Sequence, residues 1–273
     1  MTVHASRIAG ERTVKIGFRT IGFRDQPVEE TLRTLAEIGY HCVELCLESP
    51  DLQPRHLTPS RIRQIKSLLE DLGLCLSAVS YHGLQDQLEV RRQNTYRALE
   101  ITAQFSAPAL IVASRNEEPP RLRAQWMEHI DWYRELCTLA EPEGFKIAVE
   151  PQPGLVVRNA EDLVKMIQEV KHEALAANLD VAHAALTADD LSWAIYTLGP
   201  RLVHVHLADV RGQEHQHLLP GTGQLDWGEL YEIFEAVGYQ GPYVIDLPRL
   251  TGNPTEIAGQ ALAALRERWP LEV

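Results

Sequence analysis

The sequence is short of the features that mark several large classes of protein. It has only four cysteines in 273 residues, Cys42, Cys46, Cys75 and Cys137. That density does not build a disulfide scaffold in a chain of this size. Cys42 and Cys46 lie four apart in an apolar run with no second close pair, so reduced core cysteines of a cytoplasmic protein are expected. No run of about 18 apolar residues occurs, and with it goes the expectation of a membrane-spanning helix. Residues 1–13 contain no apolar stretch of signal length. Positive charge is also scarce: 26 Lys and Arg face 38 Asp and Glu, a net charge of −12. Such a surface repels phosphate backbones at long range, so nucleic acid is not an expected partner. A GxGxxG fingerprint and any Gly/Ser-rich linker are missing too, which argues against a dinucleotide-binding sheet and against two separate domains.

What the chain does have is alternation. Eight short β-rich runs are each followed by a segment of helical spacing. These are 14–18 with 27–38, 41–47 with 59–72, 74–80 with 86–104, 109–113 with 120–140, 145–150 with 159–170, 176–180 with 188–198, 202–207 with 227–237, and 243–247 with 254–268. The runs are nearly continuous in apolar residues, as parallel strands covered on both faces require. Thr58 before Pro59 predicts a helix cap with proline in the first turn. Asp226 with Glu229 has capping-box spacing. Gly39, Gly73, Gly144 and Gly238 each stand between a helical segment and a strand, where a left-handed residue ends a helix. Eight right-handed units can close into a single (β/α)8 barrel. An open doubly wound sheet is the alternative. The expected organisation is a tail over residues 1–13 and an α/β barrel domain over 14–273.

In a barrel, chemistry sits at the C-terminal ends of the strands. Four successive runs place an ionisable residue there: Glu150, Asp180, His206 and Asp246. Three carboxylates in one pocket raise each other's pKa, and a divalent cation relieves that cost. Three oxygen donors and one imidazole suit Mn, Mg or Co ahead of Zn. One divalent ion held by Glu150, Asp180, His206 and Asp246 is therefore expected. His204 shares a strand face with His206 and lies deeper, as a hydrogen-bonded core histidine or a support for the site.

These residues carry a resemblance. VEL at 43–45, VEPQPG at 149–154, the pair Asp180 and His183, HVHLAD at 204–209 and PGTG at 220–223 resemble the xylose isomerase-like family of TIM-barrel sugar isomerases and epimerases. The resemblance spans nearly the whole chain after residue 13. It implies metal ligands from strands five to eight, as Glu, Asp, His and Glu. Glu150, Asp180 and His206 match; Asp246 departs, being shorter than Glu by one carbon–carbon bond of roughly 1.5 Å. The resemblance also implies that Glu150 and the strand-eight carboxylate act as catalytic acid/base groups. For Asp246 this role is strained, since a ~1 Å misplacement of a reacting group can cost about 100-fold in rate. By the same resemblance Glu44, His82, His183, Arg211 and His217 are expected around the substrate, with an orienting role as the alternative for Glu44. His215 and His217 read as lid contacts and the PGTG glycines as the turn over the pocket mouth.

The expected function is that of a divalent-metal-dependent isomerase or epimerase. It would act on a small ketose or keto acid through an enediolate. A metal-dependent dehydratase acting on a hydroxy-keto acid is the alternative, as is a ligand-binding barrel that has lost turnover. Phosphodiester cleavage fits poorly, because strand four ends in Ala113-Ser114-Arg115 with no histidine. The resemblance is compatible with a homo-oligomer.

Overall fold

Runs such as ALIVA at 109–113 and IAV at 147–149 cannot lie on a half-exposed sheet without showing apolar surface to water, so their strands need cover on both faces. The computed structural model, which describes residues 14–187 and 190–269, resolves this with one closed parallel barrel. Its strands are β1 (Ile16–Arg19), β2 (Cys42–Cys46), β3 (Cys75–Ser80), β4 (Ala109–Ala113), β5 (Lys146–Glu150), β6 (Leu175–Asp180), β7 (Leu202–Leu207) and β8 (Tyr243–Ile245). They pair in chain order, and β1 closes the ring against β8. The expected tail over 1–13, the last four residues of the expected domain, 270–273, and the expected start of the sixth helical segment at Ala188 lie outside the described residues.

Helices cover the ring: α1 (Val28–Ile38), α2 (Pro59–Asp71), α3 (Leu88–Phe105), α4 (Leu122–Ala140), α5 (Ala160–Val170), α6 (Val181–Leu186), α7 (Leu191–Leu198), α8 (Trp227–Ala236) and α9 (Pro254–Arg268). Leu35, Ile65, Ile101, Leu136, Met166, Ile195, Phe234 and Leu265 are fully buried, one from each helix other than α6. Each such side chain contributes about 1.5–3 kcal/mol by leaving water. Among the described residues no helix is long and apolar enough to cross a membrane.

The predicted punctuation is present. Thr58 Oγ1 accepts from the Arg61 N–H at 3.2 Å, and Asp226 Oδ1 accepts from the Glu229 N–H at 3.0 Å. Gly39, Gly73, Gly144 and Gly238 have φ of 99°, 68°, 78° and 67°, open to glycine at little cost. Three expectations are corrected. Cys75 is exposed at the start of β3, whereas Cys42, Cys46 and Cys137 are buried, and all four are free thiols. The short helix α6 follows β6 directly, where only a connection was expected. And β8 ends at Ile245, so Asp246 is the first residue beyond its strand.

Two register shifts set the level of the strand ends. One lies at Val43/Glu44 where β2 meets β3, the other at Ala177/Asn178 where β6 meets β7. After the second shift Asp180 stands opposite His206, while in the unbroken β1–β2 register Arg19 stands opposite Glu44.

Candidate metal centre

Parallel strands bring their last residues to one rim, and here that rim is polar and closed to water. Glu150, Asp180, His206 and Asp246 are each at most 1% exposed. His206 Nδ1 lies 3.2 Å from Glu150 Oε2, 3.7 Å from Asp246 Oδ2 and 4.0 Å from Asp180 Oδ2. Donors bound at ~2.1 Å to one ion lie about 3.0–4.2 Å from each other, the range these separations fall in. Single donor atoms of Glu150, Asp180 and His206 lie within 4.8 Å of one another, and those of Asp180, His217 and Asp246 do the same. Asp180 belongs to both sets.

Each carboxylate commits one oxygen to the fold or shares both with donors. Asp180 Oδ1 caps α6, accepting from the N–H groups of Ala182 at 2.8 Å and His183 at 3.0 Å. Its Oδ2 is buried and has no hydrogen-bond partner among the described residues. Asp246 Oδ2 accepts from Arg19 Nη1 at 3.0 Å, while its Oδ1 is likewise buried without a partner. Glu150 accepts from Gln152 Nε2 on one oxygen and Asn178 Nδ2 on the other, both at 2.8 Å. Buried carboxylate oxygens without partners are costly, of the order of 1–3 kcal/mol or more when charged. A cation beside Asp180 Oδ2, within reach of Glu150 Oε2, Asp246 Oδ2 and His206 Nδ1, removes that cost for Asp180, so the residues fit a divalent ion.

His206 is held from behind. Its Nε2 donates to Glu44 Oε2 at 2.6 Å, which leaves Nδ1 facing the carboxylates. Burial would lower its pKa, but the Glu44 and Glu150 carboxylates hold it well above the usual imidazole range. Positive charge at Nδ1, from a proton or a metal, is thus favoured. Burial also opposes ionisation of Glu150 and Asp180. For Glu150 the His82 and His206 imidazoles outweigh it, and for Asp180 those of His183 and His217 do, so both titrate below the ordinary carboxylate range. Beneath this layer His204 is fully buried between Asn178 Oδ1 at 3.0 Å and Ser77 Oγ at 3.3 Å, and burial pushes its pKa down to about 3. It is a neutral histidine of the barrel interior.

The residues expected around the substrate divide. His82 Nε2 lies 3.4 Å from Glu150 Oε2, and His183 Nδ1 lies 3.3 Å from Glu150 Oε1. His217 comes closer to the proposed ligands than a lid contact would: Nε2 is 3.8 Å from Asp180 Oδ2, and Nδ1 donates to the Asp246 carbonyl at 2.9 Å. Glu44 is fully buried with its oxygens turned to His206 and Arg19, the orienting placement rather than a substrate-facing one. Arg211 is not brought to the cluster. It is exposed and donates to the Thr222 carbonyl, because its loop is anchored elsewhere. The anchor is Asp209, which accepts from Val210, Gly221, Gln224 and Leu225 N–H groups and from Trp227 Nε1.

Sequence reasoning missed Arg19, Asn178 and Gln152. Arg19 ends β1 and is 6% exposed, with Nε 2.8 Å from Glu44 Oε1 and Nη1 on Asp246. The strand-end rule that picked out β5 to β8 would have found it. Asn178 Nδ2 donates to Glu150 Oε2 and lies 3.1 Å from His206 Nδ1, and as a neutral amide it left no charge signal.

An eight-stranded barrel with carboxylates and imidazoles gathered at its C-terminal rim defines a (β/α)8 protein with an enzyme-like centre. The chain belongs to the xylose isomerase-like TIM barrel family, whose pattern it matches over residues 32–268. It is similar to fructoselysine 3-epimerase of Escherichia coli O157:H7, 25% identical over 274 residues that span 94% of this chain and 99% of that enzyme. Inosose dehydratase of Geobacillus thermodenitrificans (strain NG80-2) is 25% identical over 171 residues, 56% of this chain and 57% of its own. The crystal structure of a D-psicose 3-epimerase in the presence of D-fructose shares the fold, with a TM-score of 0.77 at 17% identity over 93% of this chain and 99% of the other.

Proposed function

We propose that the protein is a divalent-metal-dependent isomerase or epimerase of a small ketose or keto acid. The observation that carries this reading is the buried Asp180 Oδ2, without a hydrogen-bond partner among the described residues and 4.0 Å from His206 Nδ1, in a cluster where Glu150 Oε2 and Asp246 Oδ2 lie 3.2 Å and 3.7 Å from the same nitrogen. Glu150, Asp180, His206 and Asp246 would hold the ion, with His217 beside them. When bound, the ion supplies a Lewis acid for adjacent carbonyl and hydroxyl oxygens of the substrate. Glu150 takes the proton from the carbon next to the carbonyl and leaves an enediolate. Gln152 and Asn178 fix both oxygens of Glu150, so its carboxylate is aimed before the substrate arrives. His82 and His183, within 3.4 Å of Glu150, would donate to substrate oxygens next to the abstracted proton. The full-length likeness to a sugar epimerase supports the substrate class.

Dehydration of a hydroxy-keto compound is the second reading. It is favoured by the Arg19 guanidinium on Asp246 Oδ2, which ties Asp246 to a fixed cation and leaves Glu150 as the proposed base, and by the inosose dehydratase relative. One experiment separates the readings. Metal-loaded protein is incubated in D2O with a panel of ketoses and hydroxy-keto acids, and products are followed by NMR. Deuterium entering at the carbon next to the carbonyl with an inverted or shifted centre supports the first reading, and loss of water supports the second. Glu150→Gln should lower either rate by about 100-fold or more. A protein that takes up no divalent ion would sink both.

A further inference from the structure

We infer that Arg19 is a positioning residue for the proposed centre, holding the Asp246 carboxylate and, through Glu44, the imidazole of His206. The inference rests on the metal reading given above. Its basis is one continuous chain of contacts across four strands. Arg19 Nη1 donates to Asp246 Oδ2 at 3.0 Å across the β1–β8 seam. Arg19 Nε lies 2.8 Å from Glu44 Oε1, close in distance but off the N–H direction, an ion pair rather than a directed hydrogen bond. Glu44 Oε2 then accepts from His206 Nε2 at 2.6 Å. The remaining Arg19 nitrogen, Nη2, lies 3.6 Å from Cys46 Sγ.

The geometry gives the guanidinium two tasks. At Asp246 it binds Oδ2, the oxygen that lies 3.7 Å from His206 Nδ1 and 3.8 Å from His217 Nδ1, and so fixes where that oxygen stands in the cluster. At Glu44 it neutralises a buried anion and so keeps that carboxylate on His206 Nε2, with Nδ1 presented to the cluster. A planar fork can serve two carboxylates at fixed angles, whereas an ammonium is a point charge on a flexible stem. Both carboxylates are buried, and removing their shared partner leaves two anions to repel one another. Groups that orient ligands in this way are commonly worth 10–100-fold in metal affinity.

A guanidinium that merely neutralised charge would be replaceable by lysine; one that positions ligands would not. The test is Mn2+ binding to metal-free protein at 25 °C, read from the EPR signal of free Mn2+, beside the melting temperature of each metal-free variant. Arg19→Lys is expected to bind ~10-fold more weakly with a nearly unchanged melting temperature, and Arg19→Met ~30-fold or more weakly. Arg19→Met and Glu44→Gln together are expected to lose less than the product of the two single losses, since they break one chain of contacts. Wild-type affinity in Arg19→Lys overturns the inference and leaves the metal centre standing. Additive losses in the double variant overturn the route through Glu44. If Arg19→Met does not fold, Arg19→Lys decides. Failure of the wild type to bind Mn2+, Mg2+, Co2+ or Zn2+ overturns the metal reading itself, and the inference with it.

Discussion

Asp180 uses its two oxygens for different purposes, and this makes their contributions separable. Oδ1 caps α6 and Oδ2 faces the rim. Asparagine can keep the cap while giving up the charge; alanine gives up both. Asp180→Asn is expected to bind metal at least ~10-fold more weakly, and Asp180→Ala to lose in addition about 1 kcal/mol of stability from the cap. Isothermal titration with Mn2+ and urea unfolding of metal-free protein measure the two effects. Equal unfolding curves for the two variants would remove the cap from the account. His129 gives a second residue-level test, away from the centre. It is buried, with Nδ1 2.6 Å from the Gln125 carbonyl and Nε2 accepting from the Arg115 N–H at 3.0 Å. Burial pushes its pKa from 6.5 down to about 4. The unfolded chain therefore binds the proton first as pH falls. Stability present above pH ~6.5 is lost on going down through pH ~4, by up to about 3 kcal/mol. His129→Gln starts less stable, and its unfolding free energy should fall less between pH 7 and pH 4 than that of the wild type. Parallel pH profiles would show that His129 does not titrate this way.

At the level of elements, the loop between β7 and α8 is packed tightest against Asp209 at Gly223. A Cβ on Gly223 would meet Asp209 Oδ1 at 2.2 Å and the Val210 carbonyl at 2.3 Å. Neither can retreat, because Asp209 gathers four backbone N–H groups and an indole. Gly223→Ala is expected to lower stability by about 1–3 kcal/mol, to speed amide exchange in residues 209–225 and to unseat His217. Thr58→Ala, which removes only the cap of α2, should lower stability by about 1 kcal/mol with loop exchange unchanged. Loop exchange as slow in Gly223→Ala as in the wild type would refute this. The strands, the Thr58 and Asp226 caps and the helix-ending glycines were legible because each is a local signal. Helix α6 was not, since six residues inside the apolar VAHAAL show no period and their cap, Asp180, was read as a ligand. Glu150, Asp180, His206 and Asp246 could be found by their place at strand ends. Asn178 and Gln152 could not, because their meaning lies in a neighbour on another strand or loop. The first apolar run was read as ending at Phe18, one residue short of Arg19.

On the scale of the whole molecule, the barrel closes where its first strand meets its last. Arg19 and Asp246 are 227 positions apart in the chain and share a hydrogen bond across that closure. The meeting has a consequence in time. A ribosome adding roughly 5–20 residues per second makes Asp246 some 11–45 s after Arg19. Once Cys42–Cys46 has been made, β1 can pair with β2 but keeps an open edge on its other side, and of its two carboxylate partners the Arg19 guanidinium has only Glu44 within reach. Nascent chains stalled before Tyr243 should stay open to protease and hold no metal, while chains stalled well beyond Arg268 should resist digestion. Early protease resistance would mean that the first strands form a stable body of their own. Otherwise the rim is the last part of the protein to mature, and no partly made chain brings Asp246 to Arg19.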